Sequence, residues 1–195
     1  MKRAIALLEK HNLLKIISDE LDINLEIPHI AYVEVKRPDS KAILFTNVVD
    51  RKNSKKFKEP VLMNVFCNED AVKLFIGDGD KIGSEIESLL KLKPPVTFSE
   101  KLSTLGKLFS LKNTIPKKLN KKGECQEVIK LGADAKLSDL PVLTTWEEDG
   151  GPFITMGQVY TQSLNGELKN LGMYRLQVFP DNTLGMHWQI HKDSN

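Results

Sequence analysis

Cysteine is scarce: Cys67 and Cys125 are the two in the chain, far apart and outside any C-x-x-C spacing. That excludes a disulfide framework and a zinc knuckle, and such usage fits a reducing cytoplasm. Long apolar runs are missing as well. The opening Ala4-Ile5-Ala6-Leu7-Leu8 is cut off by Glu9, Lys10 and His11, too short for a signal-peptide core or a membrane span. Nor is there an excess of charge of either sign. Against 28 Lys and Arg stand 26 Asp and Glu, and a net +2 implies no nucleic-acid or membrane surface while leaving acidic small molecules as compatible partners. The dense basic patch, Lys117, Lys118, Lys121 and Lys122, contains no aromatic residue, so it reads as a solvated linker rather than a base-stacking groove. Gly77-Asp78-Gly79-Asp80 lacks the lysine and hydroxyl residue of a phosphate loop and reads as a turn or helix cap.

What is present suffices for a folded protein. At 195 residues with 41% hydrophobic content, the chain can bury the core of one large domain or two small ones. Residues 3–12 have helical spacing, with Ile5, Leu8 and Asn12 near one face and His11-Asn12 as the end signal. A short strand is expected over residues 13–17 and a helix over 25–35, where Pro28 fits only near the start. Residues 42–45 and 61–66 are short apolar runs bounded by turn residues, the pattern of strands buried on both faces, so a helix-covered sheet is expected. Further helices are expected at 71–75, 82–92 and 98–109, with Pro94-Pro95 between the last two. The texture thus predicts an α/β domain over residues 1–112, a basic linker over 113–125 and a mostly β region over 126–195. In that region residues 127–131, 153–160, 173–179 and 184–190 are strand-like, with Asn165-Gly166 as a hairpin turn. Four such strands begin a barrel or sandwich without closing one.

Residues able to carry chemistry gather in three late segments. On a strand, His187, Gln189 and His191 share one face, opposite Trp188 and Ile190. Two histidines serve a metal or ordinary hydrogen bonding alike, and their spacing does not choose. Asn170 and Arg175 lie on opposite faces of a regular strand unless Asn170 sits in the preceding turn or Gly172 marks a bulge. Arg175 offers a planar fork for a carboxylate or phosphate, or pairs structurally with an acidic neighbour. Asp149-Gly150-Gly151-Pro152 reads as a tight turn.

Taken in order, these segments resemble the UbiD-type decarboxylases, the 3-octaprenyl-4-hydroxybenzoate carboxy-lyase family. The resemblance runs through Leu7-Leu8-Glu9, Leu25-Glu26-Ile27, Val61-Leu62-Met63-Asn64-Val65-Phe66 and Leu140-Pro141-Val142. It continues through Asp149-Gly150-Gly151, Asn170-Leu171-Gly172-Met173-Tyr174-Arg175 and residues 188–192. It covers the whole chain but only the amino-terminal part of a typical member.

The resemblance implies an α/β amino-terminal domain followed by the first strands of an FMN-binding split β-barrel, left incomplete. It implies non-oxidative loss of CO2 from an aromatic or unsaturated acid on prenylated FMN, bound with a divalent metal, usually manganese, and often potassium. Asn170 matches the family's metal-binding asparagine, and His191 stands where a metal-binding histidine is expected. Met173, Tyr174 and Arg175 match a cofactor-contacting segment, and His187, Trp188, Gln189, Lys192 and Asp193 occupy the positions of two further ones. Arg175 takes the catalytic role, stabilising the carboxylate or tuning the acids beside it. The family's metal-binding glutamate and acidic proton donor are expected beyond Asn195, so this chain is expected to be the inactive front part of a longer enzyme. The partners implied are an aromatic carboxylic acid substrate, a flavin prenyltransferase as cofactor supplier and, for the complete protein, further copies of itself. The setting implied is ubiquinone or menaquinone biosynthesis, in the cytoplasm or peripheral to the membrane. Two other readings stay open: a non-catalytic binding module derived from this family, and an unrelated split-barrel oxidoreductase using ordinary FMN.

Overall fold

The computed structural model describes residues 1–91, 104–106, 109, 120–180 and 182–191. The helix expected over residues 98–109 lies mostly outside them, as do Pro94, Pro95, Lys117, Lys118, Lys192 and Asp193. Two compact units divide the chain, one formed by Met1–Phe75 with Lys136–Asn195, the other by Ile76–Ala135.

The first unit opens with helix α1 (Lys2–Lys10), which buries Leu8 and stops at His11. Asn12 follows at φ 55°, a left-handed conformation that asparagine tolerates and that ends the helix as its sequence suggested. Strand β1 (Leu14–Asp22), helix α2 (Glu26–Val35) and strand β2 (Ala42–Asp50) then form a β-α-β crossover, because β1 and β2 pair in parallel and parallel strands need a long connection. β1 runs five residues beyond the expected strand, through a register shift between Ile17 and Glu20. It is an edge strand, where polar residues such as Asp19 and Glu20 cost little, so polarity alone misplaces its end.

On α2, Pro28 falls in the first turn, where its missing N–H leaves no helical bond unmade, and Ile27 and Ala31 face the core four residues apart. Glu34 is buried on the same helix and satisfied twice, by the Lys15 ammonium at 3.2 Å and by the Lys41 N–H at 3.3 Å. β2 is the central strand, buried along most of its length and paired on its other side with β3 (Lys55–Lys56) and β4 (Val61–Met63), both antiparallel. The strand expected over residues 61–66 stops at Met63 because Asn64 turns to φ 55° and spends its side-chain amide on the Ala31 carbonyl, 2.7 Å away. Ile27, Ile43, Phe45, Val48, Phe57 and Val61 make the core, with Leu143 packed against it from far along the chain. Helix α3 (Glu69–Ile76) starts where the Asn68 side chain accepts from the Ala71 N–H.

The same unit holds a second sheet of three antiparallel strands in the order β5 (Phe153–Gln162), β6 (Lys169–Phe179) and β7 (Thr183–Met186). Residues 143 and 144 join it to the first sheet, since Thr144 bridges Asn24 and Leu143 bridges Phe153. Gly166 at φ 75° serves the β5–β6 turn expected at Asn165-Gly166.

In the second unit, helix α4 (Gly79–Leu90) is capped by Asp78, whose carboxylate accepts from the Asp80 and Lys81 N–H groups. Gly77-Asp78-Gly79-Asp80 is therefore a helix cap, as its composition implied. The strand expected over residues 127–131 does not form. Those residues lie between 3-10 turns at Glu124–Gln126 and Gly132–Asp134, and Val128, Ile129 and Leu131 are exposed, with no strand paired to them among the described residues. Among the described residues no helix is long and apolar enough to cross a membrane.

Candidate functional site

The candidate residues are carried by β6 and the segment after β7. Along β6, residues 170, 172, 174 and 176 are covered and 169, 171, 173 and 175 exposed, the period of two that a regular strand gives. Asn170 is thus inside the strand, paired with Thr161, and neither a turn nor a β6 bulge brings it round to Arg175. The irregularity lies on β5, between Ile154 and Gly157, opposite Arg175. Both readings of Asn170 that would have joined it to Arg175 are corrected by this register.

One face of β6 collects Asn170, Gly172 and Tyr174. Tyr174 is 7% exposed, and the Trp188 ring packs on it with centroids 6.0 Å apart at 51°. A Cβ added to Gly172 would lie 2.5 Å from Tyr174 Cε2 and 3.4 Å from Asn170 Nδ2, so glycine is what lets these side chains close over the strand. Gly172→Ala is expected to push the Tyr174 ring off Trp188 at a cost of roughly 1–3 kcal/mol. Chemical denaturation together with near-ultraviolet circular dichroism checks it: unchanged stability and aromatic signal would contradict the packing described.

The other face holds Arg175, whose guanidinium grips Asp149 with both arms, Nη1 to Oδ1 at 3.1 Å and Nη2 to Oδ2 at 2.8 Å. The fork also lies over the Phe153 ring, 3.7 Å from its centroid. Gln177, two residues along the same face, donates to the Gly150 carbonyl at 2.8 Å. Two side chains of β6 therefore hold down the turn that Asp149-Gly150-Gly151-Pro152 was expected to make, with Gly151 at φ 142°. Arg175 is paired with an acidic neighbour here, so the structural alternative for it is realised in this state.

The Arg175 guanidinium beside Asp149 holds its carboxyl below the usual carboxylate range, more than offsetting the opposing effect of burial. A depressed folded value means the pair stabilises the fold above the ordinary unfolded value near ~4, and that contribution is lost as pH falls through the lower folded value. Acid titration of stability is expected to show wild type losing its advantage over Asp149→Asn below about pH 4. An advantage that instead grows with acid would contradict the pair.

The segment after β7 departs from expectation. The strand predicted over residues 184–190 ends at Met186, so His187, Trp188 and Gln189 have no ladder, and Ile190 and His191 lie in a turn. The β6–β7 ladder closes at Leu176–Met186, one residue before Arg175 and its facing β5 irregularity. His187, Gln189 and His191 consequently share no strand face, and all three are exposed. Among the described residues no group of three His, Cys, Asp or Glu gathers to hold a metal. The partner of Arg175 was not identified in the sequence: Asp149 lies 26 positions away, and its one visible signal was a turn motif.

Fold and site define a class, an α/β protein whose crossover sheet is tied to an antiparallel sheet carrying the candidate polar groups. Two models from one family match these parts: the 3-octaprenyl-4-hydroxybenzoate carboxy-lyase N-terminal domain at residues 5–90 and its Rift-related domain at residues 117–195. The chain belongs to the UbiD family of 3-octaprenyl-4-hydroxybenzoate carboxy-lyases. It is 46% identical over 198 residues to an uncharacterized protein of Helicobacter pylori, covering 100% of this chain and 32% of that relative. With an uncharacterized protein of Aquifex aeolicus it is 40% identical over 191 residues, covering 96% of this chain and 38% of the relative. The chain therefore spans about a third of the length of such relatives.

Among solved structures it is similar to the UbiD-class enzyme HmfF from Pelotomaculum thermopropionicum in complex with FMN. The TM-score is 0.62 at 22% identity, covering 97% of this chain and 37% of that one. It is also similar to apo 3,4-dihydroxybenzoic acid decarboxylase from Klebsiella pneumoniae, at TM-score 0.66 and 22% identity, covering 98% and 37%. At these identities the likeness is one of fold.

Proposed function

We propose that this chain is the amino-terminal part of a prenylated-FMN-dependent, non-oxidative decarboxylase of aromatic acids. The observation that carries the reading is the gathering of Asn170, Gly172, Tyr174 and Trp188 on one face of β6, within the stretch matched by the family's Rift-related domain. The donor types suit the metal implied by the family. An asparagine oxygen on β6 and the imidazole of His191 are hard and borderline donors, suited to manganese, and two donors leave places for a cofactor phosphate and for residues of the longer protein. Potassium is the further ion of this proposal.

When bound, the modified flavin supplies an electron sink for the pair left behind as CO2 departs. The residues of this chain bind and orient. Asn170 and His191 hold the metal, Tyr174 and Trp188 form an aromatic wall, and His187, Gln189, Lys192 and Asp193 contact the cofactor from the following segment. Met173, whose side chain lies on the face of β6 opposite Tyr174, contacts it through its backbone groups. Arg175 binds a carboxylate through the fork that Asp149 now fills, with Phe153 stacked beneath that fork.

The complete protein takes its cofactor from a flavin prenyltransferase, acts on an aromatic carboxylic acid, assembles with copies of itself and works in the cytoplasm or at the membrane surface. Ubiquinone and menaquinone biosynthesis are the settings proposed. Metal analysis of the complete protein tests the ligand assignment: Asn170→Ala and His191→Ala are each expected to lower bound manganese at least ~10-fold. Wild-type manganese content in both variants would remove the proposed site.

A further inference from the structure

A cleft of about 590 Å3 lies in the first unit beside α2 and is lined also by the loop after Thr144. Leu25, just before α2, and Pro28 and Tyr32 on it line the cleft from one side, and Trp146, Glu147 and Glu148 line it from the loop. The Tyr32 and Trp146 rings meet edge to face, centroids 5.5 Å apart at 78°, and both remain about half exposed. The loop is pinned in place. Thr144 accepts from the Leu25 N–H at 3.1 Å, and the Trp146 N–H donates to the same Asp149 carboxylate that Arg175 grips.

The charges in the cleft are unequal in their engagement. Glu26 is taken up by the Arg51 guanidinium and the Asp22 N–H. Glu147 and Glu148 have no hydrogen-bond or ion-pair partner among the described residues. Of the basic groups, His29 lines the cleft, and Lys36 already sits over one face of Tyr32, 5.1 Å from the ring centroid. A cation from the chain itself thus uses one of the two rings, while Trp146 and two carboxylates are left to an incoming group.

We propose that this cleft is a docking site for an arginine side chain presented by a protein partner. Aromatic faces attract a cation, the apolar floor suits a methylene stem, and a planar guanidinium stacks on indole while forking toward neighbouring carboxylates. The ligand is a cation, opposite in sign to the acid substrate proposed above, so the proposal does not rest on the decarboxylase reading.

The test uses the full chain with N-acetyl-arginine-N-methylamide as probe, read by NMR on the two tryptophan indole N–H signals. Trp146→Phe assigns them, and the Trp188 signal reports whether the fold is intact. The Trp146 signal is expected to shift saturably with a roughly millimolar dissociation constant, since exposed cation–π and ion-pair contacts are individually weak. In the Glu147→Gln, Glu148→Gln double variant, binding is expected to weaken at least ~5-fold, and added salt is expected to weaken it in wild type. Equal binding of the uncharged norleucine analogue would overturn the proposal in favour of a plain apolar groove. So would an unshifted Trp146 signal, or one that changes with protein concentration and ignores the probe, which would make a second copy the occupant.

Discussion

Arg175→Ala in the complete protein, acting as proposed above, is expected to lower kcat/KM by at least ~100-fold, the usual effect of removing one preorganised donor from a developing or departing anion. Arg175 is half exposed, on the face of β6 turned away from Asn170, with its fork already shaped to a carboxylate by Asp149. The pair also contributes to the fold, but an ion pair this exposed contributes only about 1 kcal/mol. Stability and turnover therefore separate the two roles. Asp149→Ala and Arg175→Ala break the same pair and should lose similar stability, whereas only Arg175→Ala removes the group proposed to hold substrate. Matched losses of both stability and turnover in the two variants would reduce Arg175 to a positioning strut for the Asp149 turn.

Phe45→Ala is expected to destabilise the chain by roughly 3–5 kcal/mol, enough to unfold a marginal domain. Phe45 is 1% exposed on the central strand β2, paired with Ile17 on one side and Val61 on the other. Ile27 from α2, Val48, Phe57 and Leu143 belong to the same cluster, so the truncation leaves a cavity where the crossover unit meets the segment leading into the second sheet. Urea unfolding followed by tryptophan fluorescence measures it. A shift below about 1 kcal/mol would mean that the site collapses or that Phe45 is not at the centre of the core.

The sequence was most legible where local chemistry decides the outcome. The apolar run at 42–45 became the buried strand, Pro28 marked the first turn of α2, and Asp78 capped α4. It was least legible where strands depend on distant partners. Residues 127–131 look like a strand but pair with none among the described residues, and residues 187–190 alternate well but follow the point where the β6–β7 ladder ends. Five positions of separation made opposite faces the regular expectation for Asn170 and Arg175, and β6 keeps that parity while the irregularity falls on β5. The Asp149–Arg175 pair and the Tyr32–Trp146 corner join segments far apart in sequence, so no local spacing could announce them.

The most direct test takes the native gene product, at the length its source cells make, produced with and without a flavin prenyltransferase. CO2 release from a panel of aromatic acids is then measured in the presence of manganese. The expected result is release that requires the prenyltransferase and is lost in Asn170→Ala. No release from any acid, or reduction of ordinary FMN by a nicotinamide donor in its place, would contradict assignment of this chain to a prenylated-flavin decarboxylase.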